Sequence, residues 1–277
     1  MDSVQETSKT LPHLLLDKDP YTDLGAVGLG MTGYILGIDD ERVVKVAKTY
    51  PVENSEDFFM EHVNESNREA LVTEIEIYQR LGRHEGIIHC FQTTSFGIEM
   101  VFAKQGDLET YINSNPEPTE PFKIHWILSL IDGLSYIHSR KVLVDEIALR
   151  NILVDNGQLR FADFGQSYLL PLSTDMDTIC ENDLTVKIEI LHLGWIIYSI
   201  ACWNVRKYYF FAEEGYMEWP TSDQFPPLND LFCRAIVENC WKGNYVNVDA
   251  LKEHACSLLL GESRTDRGHA LRKPHVP

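Results

Sequence analysis

The pattern of apolar and polar residues changes character near Gly106. Before that point, short apolar runs predict strands from Asp23 to Lys48 and from Gly86 to Phe102. Between these regions, apolar residues recur at helical spacing from Glu69 to Leu81. The acidic and polar residues 51–66 predict a loop that leads into this helix. The first part of the chain is therefore expected to be a sheet with one main helix.

After Gly106 the spacing of apolar residues is mainly helical. The predicted helices are Leu108–Asn113, Phe122–His138, Val186–Trp203, Leu228–Trp241 and Val248–Leu260. A hairpin interrupts this series where apolar arms flank Asn156-Gly157, because this dipeptide supplies the positive φ angles of a two-residue turn. An irregular acidic stretch is expected from Gln166 to Asp183. Strands first and helices afterwards indicate an α+β fold in two lobes.

The length of the chain allows two lobes around a cleft. Its 277 residues are 44% hydrophobic, which is ordinary for a folded protein with a core. We predict an N-terminal extension over residues 1–20, a small β-rich lobe over 21–102, a larger helical lobe over 103–261 and a C-terminal tail over 262–277. The two ends show no clear periodicity and contain prolines.

Charge and cysteine usage narrow the class of protein. The net charge of −18 argues against a nucleic-acid binder, because such binding relies on basic residues. The six cysteines are widely spaced without a C-x-x-C pair, which favours reduced thiols in an intracellular protein. We expect no signal peptide, no membrane span and a cytoplasmic or nuclear location. The oligomeric state, monomer or otherwise, stays open.

Two polar residues flank the predicted hairpin. Asn151 precedes its first arm and Asp163 follows its second, so the turn should bring the two side chains close together. An amide oxygen and a carboxylate placed in this way can share a divalent cation, since hard cations prefer oxygen ligands. The sequence therefore predicts a cation site on Asn151 and Asp163.

A glycine-rich segment, Gly28-x-Gly30-x-x-Gly33, lies in the first strand region. A dinucleotide-binding turn would need a helix directly after the third glycine, whereas Tyr34-Ile35-Leu36 continues as a strand. A hairpin that folds over phosphates and a flexible turn without a ligand both remain open. Lys45 lies on the next strand between apolar neighbours, where a lone lysine is usually a solvated edge residue.

Taken in order, these features resemble the eukaryotic protein kinases. The resemblance is carried by the glycine loop, Lys45, Glu74, Ile98–Phe102, Lys104–Leu108, Tyr136–His138, Asn151, Asp163-Phe164-Gly165, Leu193–Tyr198 and Cys240-Trp241. It covers about residues 21–260, and Leu170–Tyr198 is most similar to divergent kinase-like proteins of filamentous fungi. Small-molecule phosphotransferases are less similar, because the glycine loop and Asp163-Phe164-Gly165 favour protein kinases.

The resemblance implies an ATP site in a cleft between a β-rich lobe with one main helix and a larger helical lobe. The nucleotide-binding residues would be Val27, Gly28, Leu29, Gly30, Gly33, Ile35, Lys45, Met100, Val101 and Ala103. Among these, the glycines would cover the phosphates and Ile35 would pack on the adenine. Met100 would be the gatekeeper, and residues 101–103 would offer backbone hydrogen bonds to the adenine.

The resemblance also implies the residues at the phosphates. Lys45 would hold the α- and β-phosphates, oriented by Glu74 on the main helix. Glu76 competes for that role, but its distance to Leu81 does not fit the family. Asn151 and Asp163 would bind Mg²⁺. The catalytic residues that the resemblance implies are Glu146, Lys45, Glu74, Asn151 and Asp163.

The catalytic loop departs from the family pattern H-R-D-L-x-x-x-N. Val144, Asp145 and Glu146 stand at its first three positions, ahead of Asn151. Glu146 keeps the charge of the catalytic aspartate but adds one methylene, which displaces the carboxylate by about an ångström. Misplacement on that scale can cost about 100-fold in rate. Asp145 reverses the charge of the arginine that would pair with a phosphorylated activation loop.

Further departures concern the segment after Gly165. Glu189 stands where the family has an aspartate, and no A-P-E triplet occurs between Gly165 and Glu189. The arginine that would pair with the glutamate of that triplet is also not evident after Trp241. Loss of both partners is physically coherent, since one alone would be left buried and unpaired.

Two functions follow from this pattern. The first is an ATP- and Mg²⁺-dependent protein kinase, acting on Ser/Thr rather than Tyr hydroxyls of an unknown protein, with activity that the Glu146 change weakens or abolishes. The second is a pseudokinase, a binding module or scaffold that responds to nucleotide. A scaffold with an empty cleft is a third possibility if no nucleotide binds.

Overall fold

The computed structural model describes residues 19–52, 58–211 and 218–265. Its strands are β1 (Ala26–Leu29), β2 (Gly33–Gly37), β3 (Arg42–Ala47), β4 (Cys90–Thr93), β5 (Ile98–Val101), β6 (Val142–Leu143), β7 (Ile152–Asp155), β8 (Gln158–Phe161) and β9 (Tyr168–Leu169). Its helices are α1 (Phe58–Leu81), α2 (Leu108–Ser114), α3 (Glu120–Ser139), α4 (Val186–Cys202), α5 (Arg234–Trp241) and α6 (Val248–Thr265). The predicted extension and tail lie almost wholly outside the described residues.

The first five strands form one antiparallel sheet in the order β1-β2-β3-β5-β4. Helix α1 packs against this sheet, and Leu71, Ile77 and Leu81 are among its buried residues. The rest of the described chain is mainly helical, with two small two-stranded sheets. The predicted α+β fold, a β-rich part with one main helix followed by a larger helical part, is confirmed.

Helix α1 begins at Phe58, well before the predicted start at Glu69, so the loop predicted over residues 51–66 was wrong from residue 58 onwards, and its residues 53–57 lie outside the described residues. The first turns are largely exposed, including Phe58 and Phe59, and carry no apolar residues at helical spacing on a buried face, which hid them from the search. Two buried amides tie these turns to the chain after β3. Asn64 exchanges two hydrogen bonds with the Tyr50 backbone, at 2.8 and 2.9 Å, and Asn67 donates to the Lys48 carbonyl at 3.1 Å.

Helix α4 lies at the centre of the helical part, and nearly all of its side chains are buried. It packs against α3 and α5, while α3 also packs against α6. Gly194 permits the close approach of α5, because a Cβ atom there would lie 2.6 Å from the Cys240 Cβ. Trp195 of α4 and Trp241 of α5 then pack with their ring centroids 4.7 Å apart.

The hairpin that follows the catalytic loop is confirmed. Asp155 pairs with Gln158 across a two-residue turn in which Asn156 and Gly157 have φ angles of 50° and 74°. The acidic stretch after it is irregular except for β9, which pairs with β6. Arg80 at the end of α1 donates to the Leu170 carbonyl at 2.9 Å and so fixes this segment to the helix.

Two helix boundaries in the last third of the chain were wrong. Helix α5 begins at Arg234 rather than Leu228, because Asp230 adopts a left-handed φ of 59° and the residues before α5 form turns. Helix α6 continues to Thr265, past the predicted end at Leu260.

All six cysteines fall within the described residues and are free thiols. Among the described helices, none is both long and apolar enough to cross a membrane.

His192, a buried residue of α4, should make the stability of the fold sensitive to acid. The Nε2 atom of His192 accepts a hydrogen bond from the Phe210 N–H at 3.0 Å, and burial lowers the pKa of His192 to about 4. The unfolded chain has the ordinary value of 6.5, so it binds more protons than the folded state between these two values. The stability that neutral His192 provides is complete above pH 6.5 and is lost as the pH falls through about 4.

We expect His192→Gln, which keeps a hydrogen-bond acceptor but cannot titrate, to reduce the fall in unfolding free energy between pH 7 and pH 4 by about 3 kcal/mol. Urea unfolding at a series of pH values measures this difference. His62→Gln, at an exposed position on α1, is the matched control and should follow the wild type. Parallel pH profiles for His192→Gln and the wild type would contradict the prediction.

Candidate active site

The Lys45 ammonium joins three parts of the fold. Its Nζ lies 2.6 Å from Glu74 Oε2 on α1 and 2.6 Å from Asp163 Oδ1 after β8. The Lys45 side chain is only 5% exposed, although a strand lysine is usually solvated. Its strand neighbours and the two carboxylates shield it from water. Residues that are remote in sequence therefore meet at one buried charge.

Glu74, rather than Glu76, faces the strand lysine. Glu74 is buried and its Oε1 also accepts a hydrogen bond from the Phe164 N–H at 3.2 Å, whereas Glu76 is exposed. Phe164 is fully buried and meets the Tyr78 ring edge-to-face, with centroids 5.3 Å apart. The Asp163-Phe164-Gly165 segment is thus held against α1 by a backbone hydrogen bond and by aromatic packing.

Burial and neighbouring charges shift the pKa values of Lys45 and Glu74 in opposite directions. Burial lowers the pKa of Lys45, but the carboxylates of Glu74 and Asp163 outweigh it, so the pKa of Lys45 is raised. Burial raises the pKa of Glu74, and the Lys45 ammonium opposes this shift. Each charge is therefore tolerated inside the protein because the other is present.

The hairpin brings the backbone of Asn151 against the end of β8, directly before Asp163, while the sharing of a cation by these two side chains stays a prediction. The Ala162 N–H donates to the Asn151 carbonyl at 2.9 Å, which places the residue before Asp163 directly against Asn151. Asp163 has a left-handed φ of 59° and its side chain is 38% exposed, so it faces the cleft rather than the core. The Asn151 amide nitrogen donates to Glu146, which leaves its oxygen for another partner.

This donor set fits a hard cation such as Mg²⁺. It offers one amide oxygen and the Asp163 oxygen that Lys45 does not contact. Across the described residues, no group of three or more His, Cys, Asp or Glu side chains is placed to hold a metal ion. Mg²⁺ commonly takes few protein ligands and completes its shell with water and substrate phosphates.

The glycine loop is the hairpin between β1 and β2. The Gly30 N–H donates to the Gly33 carbonyl at 2.9 Å across the turn. A Cβ atom at Gly33 would lie 2.9 Å from the Val46 carbonyl oxygen, so this glycine is needed for close packing on β3. Val27 and Leu29 are exposed on the same hairpin, and Ile35 is partly buried under it.

The connection after β5 offers one free backbone donor. Met100 is buried at the back of the cleft. The Val101 N–H is bonded to the His89 carbonyl at 3.0 Å and the Phe102 N–H to the Glu41 carbonyl at 2.8 Å. The Ala103 N–H has no acceptor among the described residues. Among residues 101–103, for which backbone hydrogen bonds to the adenine are predicted, Ala103 therefore has the N–H that a ligand could use.

The carboxylate of Glu146 is engaged on both oxygens. Its Oε1 forms an ion pair with Arg150, and its Oε2 accepts from the Asn151 amide at 3.1 Å. The sequence offers no signal for this pair. A spacing of four residues brings side chains together on an α-helix, whereas Ala148, between Glu146 and Arg150, has an extended backbone.

Glu189 on α4 contacts the catalytic loop and the end of α3. Its Oε1 accepts from the Val144 N–H at 2.7 Å, and its Oε2 lies 2.9 Å from His138 Nε2. Val144 packs in the core, where the family has a histidine. Asp145 is half-buried, and burial together with the nearby Glu189 charge raises the pKa of Asp145.

We expect Lys45→Met to lower the unfolding free energy by about 3 kcal/mol, because it leaves the buried Glu74 carboxylate without a cation. Adding Glu74→Gln should recover about 1 kcal/mol or more of this loss, since the amide needs no counter-ion. Urea unfolding of both single variants and the double variant at pH 7, without nucleotide, completes the cycle.

The control for this cycle is an exposed ion pair on the surface of α5. Lys242 Nζ lies 2.6 Å from Glu238 Oε1, and Lys242→Met should cost about 0.5 kcal/mol or less. If Lys45→Met and Lys242→Met lower the unfolding free energy equally, the prediction for the buried pair is wrong.

Comparison with known proteins finds protein kinases. The chain is 28% identical over 172 residues to NUAK family SNF1-like kinase 2 of Rattus norvegicus, which covers 60% of this chain and 27% of that protein. It is 34% identical over 104 residues to the mitogen-activated protein kinase kinase kinase MST11 of Pyricularia oryzae, or 36% of this chain and 11% of that protein. The match to the Arabidopsis thaliana serine/threonine-protein kinase ATG1b is 23% identical over 180 residues, or 62% of this chain and 25% of that protein.

The chain thus spans about a quarter or less of the length of these relatives, so the comparison concerns a domain. The family model described as the protein kinase domain matches residues 21–194, which is more than half of the chain. Together with the fold and the buried Lys45 site, this match shows that the chain belongs to the protein kinase family.

Proposed function

We propose that this chain is an ATP- and Mg²⁺-dependent protein kinase that transfers the γ-phosphoryl group of ATP to a serine or threonine hydroxyl of a protein. The observation that carries this proposal is the contact of Lys45 with both Glu74 and Asp163 at 2.6 Å. Phosphoryl transfer relies on positioning and on neutralising phosphate charge, and this pairing is part of that machinery.

In this proposal each residue has one task at the nucleotide. The Ala103 N–H donates to the adenine, beside Met100 and above Ile35. The hairpin with Gly28 and Gly30 covers the phosphates, because glycines without side chains let a ligand approach the backbone closely. Lys45 moves part of its hydrogen bonding from Asp163 to the α- and β-phosphates, while Glu74 keeps it in place.

Mg²⁺ would supply charge neutralisation between the phosphates when it is bound, held by Asn151 and Asp163. Glu146 accepts the proton of the substrate hydroxyl while the oxygen of that hydroxyl forms a bond to the γ-phosphorus. The bond between that phosphorus and the β–γ bridging oxygen breaks, and ADP leaves. Because Arg150 and Asn151 occupy the two oxygens of Glu146, the hydroxyl has to share one of them.

The choice of Ser/Thr over Tyr rests on the relatives. Two of the matched proteins carry the name serine/threonine-protein kinase, one from Macaca fascicularis and one from Arabidopsis thaliana. The loop segment Ala148-Leu149-Arg150-Asn151 resembles tyrosine kinases, but four residues do not decide specificity. The protein substrate itself is not indicated by the sequence.

A second candidate is a pseudokinase whose binding to a partner depends on nucleotide. The observation that favours it is the engagement of both Glu146 oxygens, together with the acidic Asp145 beside them. In this reading Lys45, Asn151 and Asp163 still bind the nucleotide, but no hydroxyl is activated.

Purified protein with labelled ATP, Mg²⁺ and a mixture of protein substrates should transfer phosphate to serine and threonine at least about tenfold faster than Lys45→Met, because that variant lacks the phosphate ligand. Phosphoamino-acid analysis of the products measures both rate and acceptor. Lys242→Met serves as the control and should keep the wild-type rate. If the wild type and Lys45→Met transfer phosphate equally, the kinase proposal is wrong.

Glu146→Asp separates the two candidates. Removing one methylene brings the carboxylate to the position that the family uses, and turnover should rise about 10- to 100-fold with unchanged affinity for ATP. Steady-state kinetics and a nucleotide titration with and without Mg²⁺ give the two quantities. Glu76→Asp makes the same chemical change at an exposed position on α1 and should alter neither.

If Glu146→Asp binds nucleotide but gains no turnover, the limitation lies in the altered segment after Gly165. A wild type that binds nucleotide without transferring phosphate would then be the nucleotide-dependent binding module.

A further inference from the structure

A cavity of about 350 Å³ opens beside the catalytic loop. Glu146 and Arg150 of the loop line one side, and His192 and Trp195 of α4 line another. The chain that follows α4, residues 206–209, supplies the remaining wall together with the start of α2. A volume of this size suits one or two side chains of a bound peptide. Because Glu146 belongs to the wall, an occupant would lie next to the proposed site of transfer.

The charges around this cavity differ from those of the whole chain. Arg150 is paired with Glu146, and Lys207 Nζ lies 2.6 Å from Glu109 Oε1. Arg206 is exposed and has no carboxylate partner among the described residues. The three cations and two carboxylates leave a local excess of one positive charge, on a chain whose net charge is −18. The unpaired guanidinium is therefore available to an anion.

Two buried N–H groups in the wall also lack an acceptor. His192 Nε2 accepts from the Phe210 N–H, so the neutral ring carries its proton on Nδ1. Neither His192 Nδ1 nor Trp195 Nε1 has a hydrogen-bond partner among the described residues. Buried donors without partners are rare and unfavourable in folded proteins. Both residues line the cavity with other atoms, while these two nitrogens are closed off from solvent, so the charge of the wall rather than these donors selects the occupant.

We propose that this cavity binds an anionic side chain of the protein substrate, a carboxylate or a phosphate ester, close in sequence to the hydroxyl that is phosphorylated. Arg206 supplies the unpaired positive charge, and the excess of cations over carboxylates in the lining favours an anion over a cation. This inference rests on the proposed function, because it names the class of protein that the kinase would act on.

The net charge of the chain makes the inference sharply testable. A surface with a charge of −18 attracts basic peptides over long distances, so the field of the whole protein favours lysine over glutamate. The cavity, with its unpaired Arg206, favours glutamate over lysine. A preference for acidic peptides would therefore come from the local site, in particular at 0.15 M salt, where charges more than about 8 Å apart are largely screened.

The experiment measures binding, so it does not depend on turnover. Fluorescein-labelled nine-residue peptides carry a central serine in an alanine background, with one glutamate, phosphoserine or lysine placed in turn at each flanking position. Fluorescence anisotropy with the full chain should show that glutamate or phosphoserine tightens binding about tenfold over alanine at one or two positions, and that lysine weakens it there. The glutamate and phosphoserine series distinguish a carboxylate from a phosphate ester.

Arg206→Glu should abolish this preference, because it replaces the unpaired cation by an anion. Arg83→Glu is the matched control: Arg83 is exposed after α1, outside the cavity, and has no ion-pair partner among the described residues. Melting curves check that both variants fold, and the wild-type peptide series stands without either variant.

Tighter binding of the lysine peptides, equal binding of all peptides, or a preference that survives Arg206→Glu would overturn the inference. If the wild type transfers phosphate no faster than Lys45→Met, the kinase proposal is overturned instead. The anisotropy series would then still show whether the cavity accepts an anion.

Discussion

The buried ammonium of Lys45 is the constraint on which the cleft depends. Removing such a charge from water is costly, and the cost is met here by carboxylates from two other parts of the chain. The strand β3, the helix α1 and the segment after β8 must therefore all be docked before the charge is tolerated. Phe164 adds to this arrangement, because its N–H binds Glu74 and its ring packs on Tyr78. The same contacts that stabilise the fold thus place the polar groups of the site.

The unusual catalytic loop is well supported. Glu189 holds the Val144 N–H and the His138 ring, so the loop is fixed from α3 and α4 even though its own histidine and arginine are absent. Two of the departures from the family pattern, Val144 and Glu189, are buried and hold the loop, whereas Asp145 and Glu146 are only partly buried. Asp145 removes a cation from beside the segment that follows Gly165, and Glu146 carries its carboxylate on a longer side chain. Such a loop keeps its geometry while its reactivity is changed.

Much of this arrangement could be predicted from sequence, and the rest could not for identifiable reasons. The hairpin followed from Asn156-Gly157 because turn chemistry is local, and it carried the proximity of Asn151 and Asp163 with it. The start of α1 was missed because its first turns are stabilised by buried amides rather than by an apolar stripe.

The cavity beside the catalytic loop could not be predicted at all. Its charged residues come from α2, the loop and the chain after α4, and no short-range pattern connects them. The pairing of Arg150 with Glu146 could not be predicted either, because the residues between them do not form an α-helix and only the fold brings the two side chains together. Arg150 remains 53% exposed, and the pair lines this cavity.

The amides of Asn64 and Asn67 have a consequence for small molecules that compete for the cleft. Rotating α1 away from the sheet would break three hydrogen bonds between the Asn64 and Asn67 amides and the backbone of Tyr50 and Lys48, in addition to separating Glu74 from Lys45. Inhibitors that need a displaced helix would have to supply that energy from their own contacts. Compounds that bind with α1 docked on the sheet, reaching the Ala103 N–H and stopping at Met100, do not have to break these hydrogen bonds.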